Sequence, residues 1–87
     1  MMKKGVIQMD KSITVYSTPL CPYCVMAKKF LKEAGFAFKD IDVSRDSAAA
    51  ERMIRKSGQR GVPVLEIGSE VIIGFDKTRI KKALGIA

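Results

Sequence analysis

Residues 13–43 carry the pattern of a β-α-β unit, and nothing else in this 87-residue chain limits its fold so sharply. The run Ile13-Thr14-Val15-Tyr16 is β-branched or aromatic throughout, as a buried strand requires. Residues 17–20 read as a loop, broken by Pro19. A helix is expected from about Cys21. Pro22 suits the first helical position, where its missing N–H costs nothing. Ala27, Phe30, Leu31 and Ala34 recur at helical spacing as an apolar face, with Lys28, Lys29, Lys32 and Glu33 on the other side. Gly35 fits a left-handed stop. Residues 36–43 alternate loosely and read as the second strand. Such a unit is expected to join parallel strands by a right-handed crossover.

The rest of the chain continues in short elements. Residues 44–46 turn, and a helix is expected over 47–57, with Met53 and Ile54 inward and Gly58 as its stop. A third strand is expected over 62–67, although Pro63 removes a ladder hydrogen bond there. Gly68-Ser69 is a two-residue hairpin signal leading into a fourth strand over 70–73. Gly74 ends that strand, and Asp76 can cap a last helix over 77–84 with Ile80, Ala83 and Leu84 inward. The order β-α-β-α-β-β-α predicts an α/β domain, a four-stranded mixed sheet flanked by helices. It occupies residues 12–87, with residues 1–11 as an N-terminal extension and Met9 as an alternative start. That extension has no apolar run of signal-peptide length, and no stretch approaches a membrane span. The expectation is a cytoplasmic protein, monomeric when reduced, since no long apolar stripe is left over.

Charge and cysteine usage narrow the function. The formal net charge is +7. The basic residues are spread in pairs such as Lys28-Lys29, Arg55-Lys56 and Lys81-Lys82, without interleaved aromatics. That pattern coats a surface or attracts an anionic partner, and it carries no nucleic-acid-binding motif. The chain has two cysteines and no histidine. A secreted disulfide scaffold would carry more cysteines, and a zinc site would need further ligands. No Cys–His nucleophile pair can form. No metal and no tightly bound cofactor is expected.

Cys21 and Cys24 therefore stand out, placed where strand and loop give way to helix. The thiolate is the reactive form of cysteine, and a helix N-terminus favours it through its dipole and free N–H groups. Cys24 lies one turn on, on the same face, within reach of a disulfide. Cys21 is expected to be the exposed nucleophile and Cys24 the buried resolving thiol, with Pro22 and Tyr23 setting how readily the ring opens. Thiol–disulfide exchange follows: Cys21 attacks a substrate disulfide, and Cys24 then displaces the reduced substrate and closes the Cys21–Cys24 disulfide.

Three motifs give the chain a resemblance to the glutaredoxin branch of the thioredoxin-like superfamily, running from about Ser12 to the C-terminus. They are Cys21-Pro22-Tyr23-Cys24, Gly58-Gln59-Arg60-Gly61-Val62-Pro63, and Gly74-Phe75-Asp76. The resemblance implies the thioredoxin-like fold and dithiol–disulfide oxidoreductase activity on protein or mixed disulfides. It implies a cis bond before Pro63, facing the cysteines, which accounts for a proline inside a strand pattern. Val62 would then offer its backbone to an extended substrate. Glutathione is implied as co-substrate, with Gln59, Arg60, Val62, Pro63, Gly74 and Asp76 as its contacts; Arg60 would clamp a carboxylate and Asp76 would meet the α-amino group.

The same comparison shows departures. Thr18 stands where many glutaredoxins have a basic residue, Gly61 replaces the threonine before Val-Pro, and Ile73 replaces the first glycine of a Gly-Gly pair. A related group, redoxins that take electrons from thioredoxin reductase and donate them to ribonucleotide reductase, is thus an alternative. Disulfide-containing proteins, and glutathione or thioredoxin reductase, are the expected partners, with no nucleic acid and no membrane. A reading of another class is an iron–sulfur or metal carrier, disfavoured by Pro22 and by a second thiol that competes as a disulfide.

Overall fold

The computed structural model describes residues 12–86, so the expected extension over 1–11 lies outside the described residues. Within them the chain forms β1 Ile13–Ser17, α1 Pro22–Glu33, β2 Lys39–Asp42, α2 Ser47–Ser57, β3 Val64–Ile67, β4 Glu70–Ile73 and α3 Lys77–Leu84. The strands make one mixed sheet in the order β2-β1-β3-β4. β1 runs parallel to β2 and antiparallel to β3, and β3 pairs antiparallel with β4.

The two-residue period of the strands divides the core between the faces of the sheet. Ile13 and Val15 of β1 stand opposite Ile67 and Leu65 of β3. With Ile72 they pack under Ala27 and Leu31 of α1 and Ile80 and Leu84 of α3. Tyr16 and Val64, one residue out of phase, face the other way and meet Ala49 and Met53 of α2. Helices thus cover both faces. Each large side chain buried here contributes about 1.5–3 kcal/mol, and Leu31, Leu65, Ile72 and Ile80 are fully buried.

Asp76 caps the last helix as expected, and Asp46, at the end of the expected turn, caps α2. Asp46 and Asp76 accept N–H groups from Ala49 and Arg79 at 3.0 and 3.2 Å. Gly58 closes α2 at φ 77°, a conformation a side chain would resist.

Four details differ from the sequence expectation. β1 extends through Ser17, whose register partner is Asp42 and whose carbonyl accepts the Val43 N–H. The second strand begins at Lys39 and not at Phe36. The Phe36 N–H is committed to the Leu31 carbonyl, and Gly35 to Lys32, so this stretch closes α1 before it can join the sheet. Ala34 caps α1 and is exposed, not part of its apolar face. The third strand begins at Val64 rather than Val62. Pro63 has no N–H to give, and its carbonyl accepts the Gly74 N–H at 2.8 Å.

Because β1 and β3 are antiparallel neighbours, the end of β1 lies beside the beginning of β3. The loop that follows β1 and the loop that precedes β3 meet at the same sheet end. There the N-terminus of α1 meets the residues before Val64.

Candidate active site

Cys21 has extended backbone angles, φ −109° and ψ 108°, and acts as the N-cap of α1. Its sulfur takes the place usually held by a serine or aspartate oxygen. The Cys24 N–H donates to Cys21 Sγ at 3.2 Å, the kind of donor that stabilises negative charge on sulfur. Across the junction the Cys21 thiol points at the Val62 carbonyl, at 3.8 Å. Cys21 is partly exposed, whereas Cys24 is 0 % exposed. Both are free thiols, so this is the dithiol form.

Burial pushes the Cys24 thiol up to about 11, and the neighbouring Cys21 sulfur adds to the rise. A backbone hydrogen bond with Thr18 and the Lys28 charge oppose it. One partly open and one buried thiol thus sit one turn apart. Attack by the outer sulfur on a disulfide, followed by displacement from within, is the chemistry this pair can perform.

The bond between Val62 and Pro63 is cis. Among the described residues the Val62 N–H has no acceptor. The Gly74 N–H reaches the Pro63 carbonyl, so Gly74 sits beside this loop. The structure therefore gathers Cys21, Cys24, Val62, Pro63 and Gly74. Pro22 opens α1 and is exposed, and Tyr23 is 61 % exposed beside the cysteines. Arg60 is exposed and Asp76 caps α3 through Oδ1; no hydrogen bond or ion pair among the described residues ties either to the cysteine pair.

Gln59 is committed within its own loop. Its Oε1 accepts the Gly61 N–H at 2.7 Å, and its Nε2 donates to the Gly61 carbonyl at 3.0 Å and to Ser57 Oγ at 3.3 Å. A Cβ at position 61 would lie 2.8 Å from Gln59 Oε1. Gly61 and this folded-back amide are therefore one arrangement, and a threonine at 61 would displace it.

Two features escaped the sequence reading. Leu20 is exposed at 93 % next to Cys21 in the chain, which leaves apolar surface beside the outer thiol, and Ile73, flanking Gly74, is exposed at 48 %. Ser17, buried in β1, donates its hydroxyl to Asp40 Oδ1 at 2.8 Å, and Lys28 holds the other oxygen at 2.8 Å. Partial burial opposes ionisation of Asp40, but Lys28 and Ser17 outweigh it and hold the carboxyl below its ordinary range. The partners lie 12 and 23 residues from Asp40, and no local spacing signals them.

Comparison with known proteins agrees with this geometry. The family model described as Glutaredoxin matches residues 13–72. A glutaredoxin-like 8.6 kDa protein encoded in the rubredoxin operon of Clostridium pasteurianum is 42 % identical over 72 residues, covering 83 % of this chain and 96 % of that protein. A glutaredoxin of Neisseria meningitidis is 40 % identical over 78 residues, covering 87 % of this chain and 92 % of that one. Among solved structures, the NrdH-redoxin of Escherichia coli superposes with a TM-score of 0.75 at 34 % identity, covering 82 % of this chain and 92 % of that one. The chain belongs to the glutaredoxin family and is a thiol–disulfide oxidoreductase of thioredoxin-like fold.

Proposed function

We propose that the protein reduces protein or mixed disulfides through Cys21 and Cys24, with glutathione returning the electrons. The observation that carries this reading is the Cys21 sulfur, capped by the Cys24 N–H at 3.2 Å and facing the Val62 carbonyl at 3.8 Å. A disulfide approaching Cys21 meets the Val62 backbone at once, so its flanking chain can pair there as an added strand. The Cys21 thiolate attacks one sulfur of the substrate disulfide; the substrate S–S bond breaks, the other sulfur leaves as a thiolate, and the attacked sulfur stays bonded to Cys21 as a mixed disulfide. The charge of Cys21 is one cause that keeps Cys24 protonated. That cause is gone once Cys21 is in a mixed disulfide, so the first step eases ionisation of the second thiol. Cys24 then attacks Cys21 and releases the substrate. Exposed Arg60 and the second oxygen of Asp76 supply charges suited to a carboxylate and an amine of glutathione.

A second electron source has its own support. Gln59 is held within its loop, and Ile73 projects beside Gly74 where glutathione would lie. The Escherichia coli NrdH-redoxin is a glutaredoxin-like protein with a thioredoxin-like activity profile. Paired coupled assays following NADPH oxidation with one disulfide substrate separate the two. One supplies glutathione and glutathione reductase, the other thioredoxin reductase. Turnover with glutathione is expected, and turnover only with thioredoxin reductase would overturn the glutathione reading. Cys21→Ser is expected to be inactive in both, and full activity would overturn the mechanism.

A further inference from the structure

An open groove of about 680 Å³ runs along α1 on the side of β2. Its floor is apolar, from Val25, Phe36 and Phe38, and its rim is basic, from Lys28, Lys29 and Lys32. The one acid lining it, Asp40, is paired with Lys28 and hydrogen-bonded by Ser17. Among the described residues Lys29 and Lys32 form no ion pair, so the rim is left with positive charge to offer.

The α1 residues that line the groove share a helix stripe with the reactive thiol. Cys21, Val25, Lys28, Lys29 and Lys32 are spaced i, i+4, i+7, i+8 and i+11, which places them in one stripe along the helix. At 1.5 Å rise per residue, Val25 and Lys32 lie about 6 and 16 Å from Cys21 along the axis. An extended chain advances about 3.3 Å per residue, so it reaches these points about two and five residues from a cysteine engaged at Cys21.

We infer that this groove docks an acidic segment of the protein substrate, lying about two to five residues from its reactive cysteine and carrying an apolar side chain for the floor. This rests on the reading of the chain as a reductase of protein disulfides. Carboxylates meet Lys29 and Lys32, and the apolar side chain rests on Val25, Phe36 and Phe38. The docked segment raises the encounter rate with Cys21 and selects among disulfides.

The test uses pre-reduced protein in single turnover, which makes it independent of the electron source. The substrates are two disulfide-linked peptide homodimers, Gly-Cys-Gly-Gly-Glu-Phe-Glu-amide and its counterpart with glutamine for glutamate. In each reaction the Cys21–Cys24 dithiol gives up two electrons and two protons and becomes a disulfide, and the peptide disulfide becomes two thiols. At low salt the acidic peptide is expected to react about 2- to 30-fold faster, the range for two exposed ion pairs. High salt should erase the difference. K29E/K32E should bring the ratio of acidic to neutral rates to one or below. R52E/R55E makes the same charge change on α2 and should preserve the ratio. Equal rates for the two peptides with the unaltered protein would overturn the proposal, as would an equal loss of preference in R52E/R55E. Reduction of neither peptide would overturn the reductase reading itself, and the docking site with it.

Discussion

Alkylation of the two thiols should separate them by site, because their surroundings differ more than their spacing suggests. Cys24 stands at about 11 against an ordinary 9.0. At pH 8 that lowers its thiolate fraction about a hundredfold, tenfold for each unit. A more basic thiolate is a better nucleophile, which returns about tenfold. The net effect is about a tenfold slower reaction than in the unfolded chain, before access is counted. Access lowers it further, since Cys24 is 0 % exposed. The assay is limiting iodoacetamide on the reduced protein at fixed pH, acid quench and peptide mapping, native and in urea. Native protein should carry its label on Cys21, and protein in urea should carry it on both. The native Cys24 rate should keep climbing until about pH 11, while the unfolded rate levels off near 9. Native Cys24 labelling as fast as in urea would refute the reasoning.

The same shift has a stability consequence of definite sign. The folded state holds the Cys24 proton where the unfolded chain has lost it, so this contribution is complete below about pH 9 and disappears as pH rises through about 11. Two units correspond to at most about 3 kcal/mol, which urea midpoints of the reduced protein across that range would show. Asp40 has the opposite sign: its carboxyl is held low, so its contribution is present above the ordinary 3.8 and lost on further acidification. D40N should flatten the acid limb of the urea midpoint by under about 1 kcal/mol, since the pair is partly solvated. Leu31→Ala, at a site of 0 % exposure under the sheet, should cost about 2–5 kcal/mol in urea unfolding. Gly61→Thr should push the Gln59 amide off its loop and raise glutathione-coupled turnover by about three- to tenfold, the worth of one added hydrogen bond; an unchanged rate would show that the folded-back amide does not limit glutathione use.

The sequence by itself determined the elements and their order. β-branched runs, helical spacing, Pro22 at a helix start and glycines at helix ends are local signals, set within a few residues of where they act. They were sufficient for the β-α-β-α-β-β-α order and for the position of Cys21 at a helix N-terminus. The motifs around Cys21, Pro63 and Asp76 carried the family resemblance. Tertiary structure decided what depends on contacts between distant segments. The pairing of β1 with β3 brings Val62 to Cys21 across 41 residues. Burial in the folded chain raises the Cys24 thiol to about 11, which no local feature of the sequence signals. The Phe36 N–H went to the helix cap and not to the sheet, because two acceptors compete for one donor and spacing does not say which is nearer. The lysines of α1 looked like an ordinary solvated face. Only the packing of Phe36, Ala37, Phe38 and Asp40 beside the helix turns that face into the rim of a groove.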